Sequence, residues 1–124
     1  MQTMPTETLN DIAMHTLAAD GPLLASERDA LDLIGEHGDA EVIVVPESRL
    51  APAFFELKTK LAGEFFQRLQ NYRLRLVVPG DISERMAASR SLNDFVEETN
   101  RVGHHLFAPD CETMLARLGR TTGR

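Results

Sequence analysis

The sequence predicts a single α/β domain in which helices flank a mostly parallel central sheet. Short apolar runs at residues 42–45, 74–78 and 104–108 alternate along the chain with longer segments in which apolar residues have helical spacing. The run at 42–45 is hydrophobic throughout, as is typical of a parallel strand that is covered on both faces. Alternation of strands and helices specifies a layered α/β fold with right-handed crossovers.

The N-terminal part of the chain is a polar segment followed by an ambiguous element. Residues 1–8 are polar, and we expect them to be disordered. Residues 9–19 fit both strand alternation and helical spacing, and we favour a strand because the turn sequence Asp20-Gly21-Pro22 follows at once. Residues 9–119 then form the single domain, and residues 120–124 form a C-terminal tail.

Three of the four predicted helices have a polar residue that is suited to their start. Ser26 begins the first helix, because its hydroxyl can accept from the backbone N–H three residues on. Residues 52–71 have the spacing of the longest helix, with four of the six Phe residues on one apolar arc. Ser91 begins a sequence that resembles a capping box, and Asp110 is placed to cap the last helix.

Composition narrows the classes of function. The 13 basic and 19 acidic residues give a net charge of −6, which disfavours binding to nucleic acid or to an anionic membrane surface. The basic cluster Arg117, Arg120 and Arg124 is typical of a frayed tail. Cys111 is the single cysteine, and no apolar run approaches the roughly 20 residues that span a bilayer. We therefore expect a cytoplasmic protein.

Three of the predicted strands end in proline, and an acid follows each proline. The acids are Glu47, Asp81 and Asp110. In a parallel sheet they would lie along one edge, where three carboxylates suit Mg²⁺ or Ca²⁺. Proline also ends a strand and an acid caps the following helix, so the pattern has a purely structural explanation.

Asp81 and Ser83 are candidate ligand-binding residues in the segment after the second of these strands. We expect residues 82–88 to form a loop above the sheet, and such loops often carry function. A ligand site and a structural turn therefore explain the presence of Asp81 equally well.

Ser89, Ser91 and Lys58 complete the candidate ligand-binding residues. Ser89 and Ser91 stand at a predicted helix N-terminus, where hydroxyls and free N–H groups either hold an anion or cap the helix. Lys58 falls inside the apolar arc of the 52–71 helix. It either extends to solvent along its aliphatic stem or pairs with Asp81 or Glu98.

Other residues give weaker indications of a site. Gly63 costs its helix about 1 kcal/mol relative to alanine, and either close packing or a ligand would explain it. His104 and His105 would point to opposite faces of a strand and so could not bind one metal ion. The histidines and the cysteine have no recognisable metal-binding spacing, and the sequence contains no phosphate loop, dinucleotide fingerprint or nucleophile elbow. The cofactor is unknown, and we expect none.

The segments FFELKTKLAGEFFQRLQNYRLRLVVPGD and SRSLNDFVEETNRVGHHLF resemble an uncharacterised bacterial family, domain of unknown function 4180. The resemblance covers roughly residues 15–118. The positions that match the family pattern are Phe54, Phe55, Leu57, residues 61–64, Asn71, Tyr72, Gly80, Asp81, Ser91, Leu92, Asp94, Phe95, Glu98 and Asn100. The chain departs from the pattern at residues 79–83, where a proline precedes Gly80 and no aromatic residue follows Asp81. The resemblance implies no activity.

The order of elements is also similar to that of STAS domains, the anti-sigma-factor-antagonist fold. This resemblance implies a small regulatory module in which a serine at the start of a helix is phosphorylated. Ser48 is the nearest counterpart, although the surrounding Asp-Ser-Ser/Thr-Gly sequence is missing.

Three hypotheses of function follow. The first is a non-enzymatic regulatory or protein-interaction module with a STAS-like fold. The second is a small-ligand or divalent-cation binding domain that uses the loops at the carboxyl ends of the strands. The third is catalysis by Asp81 and Glu98, which requires that the two carboxylates share a pocket. The sequence does not identify a partner, a substrate or an oligomeric state.

Overall fold

The computed structural model describes residues 7–9, 12–37 and 40–121 and contains a five-stranded sheet with strand order β1-β2-β3-β4-β5. The strands are β1 (Glu7–Leu9), β2 (Ile12–Thr16), β3 (Val42–Val44), β4 (Arg75–Pro79) and β5 (Leu106–Ala108). β1 pairs antiparallel with β2, whereas β2, β3, β4 and β5 run parallel. The predicted α/β class, with a mostly parallel sheet, is confirmed.

Helices cover both faces of this sheet. The helices of the described residues are α1 (Glu27–His37), α2 (Leu61–Asn71), α3 (Ser83–Ala88), α4 (Arg90–Val102) and α5 (Cys111–Thr121). The larger core contains apolar side chains of α1, α2 and α4 together with Ile43 and Leu76 of the sheet. On the other face, Met114 of α5 packs with Val44 and Val77. Alternate residues of β3 therefore enter two different cores, which explains why that strand is hydrophobic throughout.

The predicted helix at 52–71 is broken. Two short 3-10 helices, Pro52–Phe55 and Leu57–Thr59, precede α2, and Lys60 between them and α2 has a left-handed backbone with φ 64°. The Thr59 hydroxyl lies 2.7 Å from the carbonyl oxygen of Glu56 and stabilises this tight turn. The side-chain spacing of a regular helix therefore does not extend through Lys60.

The start of α1 differs from the prediction, whereas at α4 one of the two serines expected at the helix N-terminus is the cap. At α1 the carboxylate of Asp29, rather than the Ser26 hydroxyl, accepts the backbone N–H groups of Ala25 and Ser26, at 2.7 and 3.1 Å. At α4 the capping residue is Ser89, whose hydroxyl oxygen accepts the N–H of Leu92 at 3.2 Å. At α1 the capping group therefore lies three residues after the predicted one, whereas the capping alternative for Ser89 is confirmed.

The segment at 82–88, which we expected to be a loop, contains α3. The predicted cap of the last helix is confirmed, because Asp110 Oδ1 accepts the N–H of Thr113 at 2.7 Å. The predicted strand at 9–19 is also confirmed, in the form of β2.

The predicted domain limits fall partly outside the described residues. Residues 1–6 and 122–124 are among those the structure does not describe. Glu7 and Thr8, which we assigned to the disordered N-terminus, lie in β1. α5 extends to Thr121 and so includes Arg120, which we assigned to the tail.

Candidate functional site

A cavity of about 180 Å³ lies at the carboxyl ends of β4 and β5; we name it the strand-end cavity. Its polar lining consists of Asp81, Ser83, Asn100 and Arg117. Its apolar lining includes Ile82, Met86, Val96 and Phe107, which come from the turn after β4, from α3, from α4 and from β5. This is the edge at which open α/β sheets usually bind ligands.

Gly80 shapes the entrance to this cavity. Its backbone has φ 145°, a conformation that residues with a side chain rarely adopt. A Cβ at this position would also collide with the side chain of Glu47, which comes from the segment after β3. The turn sequence Pro79-Gly80-Asp81 therefore allows two neighbouring strand ends to approach closely.

Asp81 is exposed at the rim of the strand-end cavity and is held in place by Ser83. Its Oδ1 accepts the Ser83 hydroxyl at 2.6 Å and the Ser83 backbone N–H at 3.0 Å. These two hydrogen bonds, that of the hydroxyl first, lower the pKa of Asp81, so the carboxylate is charged at neutral pH. Oδ2 makes no hydrogen bond to the described residues and stays available to a ligand.

Asn100 and Arg117 hold the outer edge of β5 from two different helices. Asn100 Oδ1 accepts the backbone N–H of Phe107 at 2.8 Å, and Arg117 Nη1 donates to the backbone carbonyl of Phe107 at 2.6 Å. Both side chains are half-buried. Because each has one atom fixed on Phe107, the remaining donors of the amide and the guanidinium are held at the cavity.

Neither Asn100 nor Arg117 was predicted as a site residue. We assigned Arg117 to a frayed tail because three arginines occur close together, whereas α5 places it against β5. The hydrogen bond between Asn100 and Phe107 could not be predicted from their spacing in the sequence, because it depends on how the chain returns from α4 to the sheet.

The other predicted ligand-binding residues line a different cleft. Lys58, Ser89 and Ser91 border a space of about 400 Å³ beside Phe55, which we name the Lys58 cleft. Ser89 accepts a hydrogen bond there as the cap of α4. The structure therefore divides the predicted residues between two places, with α3 between Asp81 and Ser89 along the chain.

Lys58 is exposed because the break at Lys60 removes it from the apolar arc. Of the two alternatives for Lys58, extension to solvent is therefore confirmed. Within the described residues it forms no ion pair, so the alternative of pairing with Asp81 or Glu98 is wrong. Glu98 instead pairs with Arg101, one turn further along α4. Glu98 and Asp81 line different cavities, and the hypothesis of catalysis by this pair is therefore wrong.

The acids after the strands do not form a metal centre. No group of three or more His, Cys, Asp or Glu side chains is arranged to hold a metal ion anywhere in the part of the chain that the structure describes. Glu47 packs against Gly80, Asp81 binds Ser83, and Asp110 caps α5. Each acid therefore has a local structural role.

A groove between α2 and α4, the α2–α4 groove, is lined by Gly63, Phe66, Phe95, His104 and His105, among others. A Cβ on Gly63 would meet no atom within 4 Å, so the expected close packing is wrong. His104 and His105 precede β5 and both line this groove, because they lie in a bend and not in the strand where they were predicted. The prediction that they face opposite sides is therefore also wrong.

His105 joins the sheet to α2. Its Nδ1 accepts the backbone N–H of Leu76 at 2.9 Å, so the ring proton is on Nε2, which donates to the carbonyl of Phe66 at 3.0 Å. Burial, and then the nearby His104, lowers the pKa of His105 from 6.5 to about 4. The ring is therefore neutral at pH 7 and has a structural role.

Ser48 lies in a short 3-10 helix after β3 and is exposed. Its hydroxyl donates to the backbone carbonyl of Ala19 at 2.9 Å. The adjacent Arg49 is buried and donates to the carbonyls of Ala18 and Pro22. This short helix therefore holds the turn between β2 and α1.

A protein-family model, described as Domain of unknown function (DUF4180), matches residues 9–118. The chain belongs to this family. The matched residues include the whole lining of the strand-end cavity and of the α2–α4 groove, so both are features of the family domain in this chain. Neither the curated proteins nor the solved structures contain a significant match to the chain.

Across the described residues, none of the helices combines the length and the hydrophobicity needed to cross a bilayer.

Proposed function

We propose that this domain is a non-enzymatic binding module that holds a small organic molecule in the strand-end cavity. The observation that carries the proposal is the cavity itself, which lies at the carboxyl ends of two parallel strands. Mostly apolar walls with a few fixed polar groups are the usual composition of a ligand site. Its volume is below the roughly 300 Å³ at which typical pockets begin, which favours a metabolite of few atoms.

The lining supports binding rather than catalysis. Asp81 and Arg117 are its charged residues, and Ser83 is its hydroxyl. Ser83 donates to Asp81, but the low pKa of this exposed carboxylate makes it a weak general base at neutral pH. Among the lining residues there is no histidine or cysteine to complete a nucleophilic site.

Thermal unfolding in the presence of a broad panel of metabolites tests this proposal. A ligand at a hundredfold excess over its Kd stabilises the folded state by about 2.7 kcal/mol, which raises Tm measurably. The variant Asp81→Asn keeps an acceptor for Ser83 but removes the charge at the rim, and we expect it to weaken binding. Asp94→Asn, an exposed acid of α4 outside the cavity, is the matched control. A panel that leaves Tm unchanged would exclude small-molecule binding.

A protein-interaction module is the second candidate, and the α2–α4 groove favours it. Val102 at the rim is 66% exposed, and Gly63 leaves the side of α2 open. Affinity purification from lysate with Val102→Asp beside the native chain tests this function. We expect a partner that the native chain retains and the variant loses. Equal recovery by both would place the partner elsewhere, and no recovery would count against interaction.

The similarity of element order to STAS domains supports a regulatory role in the bacterial cytoplasm. In this proposal Ser48 is a phosphorylation site, because it is exposed and lies at the carboxyl end of β3. Its phosphorylation would remove the donor to Ala19 and loosen the turn that this hydroxyl holds. Phosphopeptide mapping of the protein from its native cells should show Ser48; modification found only at other residues would remove this part of the proposal.

A further inference from the structure

The inference concerns the chemical class of the ligand and rests on the proposed function. The strand-end cavity has one cation and one anion in its lining, Arg117 and Asp81, with an apolar wall that includes Met86, Val96 and Phe107. A ligand complementary to this lining has a negative group, a positive group and a small apolar body. We propose that the strand-end cavity binds a small amino-carboxylate, a zwitterion with an apolar side chain.

The carboxylate end of the ligand is assigned to Arg117 and Asn100. Arg117 uses Nη1 for the carbonyl of Phe107, and within the described residues its other N–H groups have no acceptor. Asn100 uses Oδ1 for the N–H of Phe107, which leaves its amide N–H groups free to donate. Two donor groups fixed on one backbone residue are preorganised for the two oxygens of a carboxylate.

The ammonium end is assigned to Asp81. Its Oδ1 is occupied by Ser83, and its Oδ2 is free among the described residues. The hydrogen bonds from Ser83 keep the carboxylate ionised and fix its orientation. Asp81 and Arg117 both line the strand-end cavity, so the two charges border one small space.

The apolar wall excludes the polar members of this class. Met86 is half-buried, and Val96 and Phe107 are buried. A charged or strongly polar side chain would lose its hydration against them without gaining a hydrogen bond. The cavity of about 180 Å³ also favours a small side chain.

Ligand-observed NMR and thermal unfolding with L-valine and L-leucine test the inference. The matched probes are L-leucine methyl ester, which lacks the carboxylate, and N-acetyl-L-leucine, which lacks the ammonium. We expect the two free amino acids to bind at least tenfold more tightly than either derivative. Equal binding of the ester or of the acetyl compound, or no binding of either free amino acid, would overturn the inference.

Variants of Arg117 and Asp81 test separately the binding of the ligand's carboxylate and of its ammonium group. Arg117→Gln should weaken L-leucine at least tenfold and leave the methyl ester unaffected, whereas Asp81→Asn should weaken L-leucine and leave N-acetyl-L-leucine unaffected. Arg117→Lys keeps a cation that can donate to Phe107 but lacks the paired guanidinium donors, so it should still weaken L-leucine and is the test if Arg117→Gln fails to fold. Binding of L-leucine that no variant changes would also overturn the inference. If a metabolite of the broad panel binds although it lacks a carboxylate or an ammonium group, the inference is overturned while the proposed function stands. The proposed function is excluded only if no metabolite of the panel binds.

Discussion

At the scale of single residues, the two glycines Gly63 and Gly80 have opposite roles. Gly80 needs both its positive φ and its missing side chain, because Glu47 fills the space that a Cβ would occupy. Gly63 lies in α2 with open space where its Cβ would be. One glycine is required by the fold, whereas the fold gives no reason for the other.

Gly80→Ala should therefore destabilise the protein by about 2–4 kcal/mol, the sum of backbone strain and the clash with Glu47. Urea unfolding of the two proteins measures this difference. In a Glu47→Ala background the cost should fall, because the closest contact, with Glu47 Cγ, is removed, whereas the contact with its Cβ and the backbone strain remain. A cost that is equal in both backgrounds would show that Glu47 is not the obstacle.

Gly63→Ala should stabilise the protein by about 0.5–1 kcal/mol, because alanine restricts the unfolded chain and is the better helix former. The same unfolding experiment measures it. The variant also reports on the α2–α4 groove: partner binding that Gly63→Ala weakens, despite the higher stability, would show that the open space serves the partner. Destabilisation by Gly63→Ala would contradict the open environment of this position.

At the scale of elements, β5 is an edge strand whose outer groups are satisfied by side chains. The N–H and the carbonyl of Phe107 bind Asn100 of α4 and Arg117 of α5, respectively. An edge strand with free backbone groups is a template for aggregation, and such contacts block it. The polar groups of the strand-end cavity therefore also stabilise the sheet.

Asn100→Ala should destabilise the protein by about 1–3 kcal/mol, because the N–H of Phe107 loses its acceptor in a partly buried place. Asn93→Ala, on the same helix, is the control and should cost a few tenths of a kcal/mol. Amide exchange at Phe107 should become faster in Asn100→Ala alone. Unchanged protection of that amide would mean that Asn100 does not hold the edge of β5.

Elements were predictable from the sequence where burial repeats with a regular period. Residues 42–45 had to be a covered strand, and the family pattern marked the turn at Gly80 and Asp81. The break at Lys60 was not predictable, since lysine rarely adopts a positive φ and the apolar arc continues across it. The site was half predicted: Asp81 and Ser83 are neighbours in sequence, whereas the contacts of Arg117 depend on tertiary packing that no local pattern encodes.

At the scale of the whole molecule, the α/β layers depend on contacts that join helices to the sheet. His105 is the polar example, because its ring connects β4 with α2 inside the larger core. The ring is 5% exposed, and it can accept the N–H of Leu76 only while Nδ1 carries no proton. The stability of the whole fold should therefore depend on pH.

Since the folded pKa of His105 is about 4 and its ordinary value is 6.5, the unfolded chain binds a proton in this interval that the folded chain does not. Stability should therefore fall with decreasing pH, by about 1.4 kcal/mol per pH unit and about 3 kcal/mol over the interval. Asp81 and Asp110 have lowered pKa values, so their contribution is lost only below about 3.8. Urea unfolding between pH 7 and 5 therefore measures the change in stability above the range of these two aspartates.

His105→Gln should be less stable than the native chain at pH 7 and should lose most of the slope between pH 7 and 5. His104→Gln should lose a smaller part of the slope, because it removes only the second cause of the lowered pKa of His105 and leaves the burial of that ring unchanged. A slope that survives in His105→Gln would assign the acid sensitivity to other groups.

The ring of His105 also offers a natural spectroscopic probe. Its Nε2 proton is enclosed between an imidazole and a helix carbonyl, so it should give a resolved nitrogen-bound signal with slow solvent exchange. That proton can leave only when α2 separates from the strands beneath it. The exchange rate of one atom would then time the transient opening of the layers, without any label and without unfolding the protein.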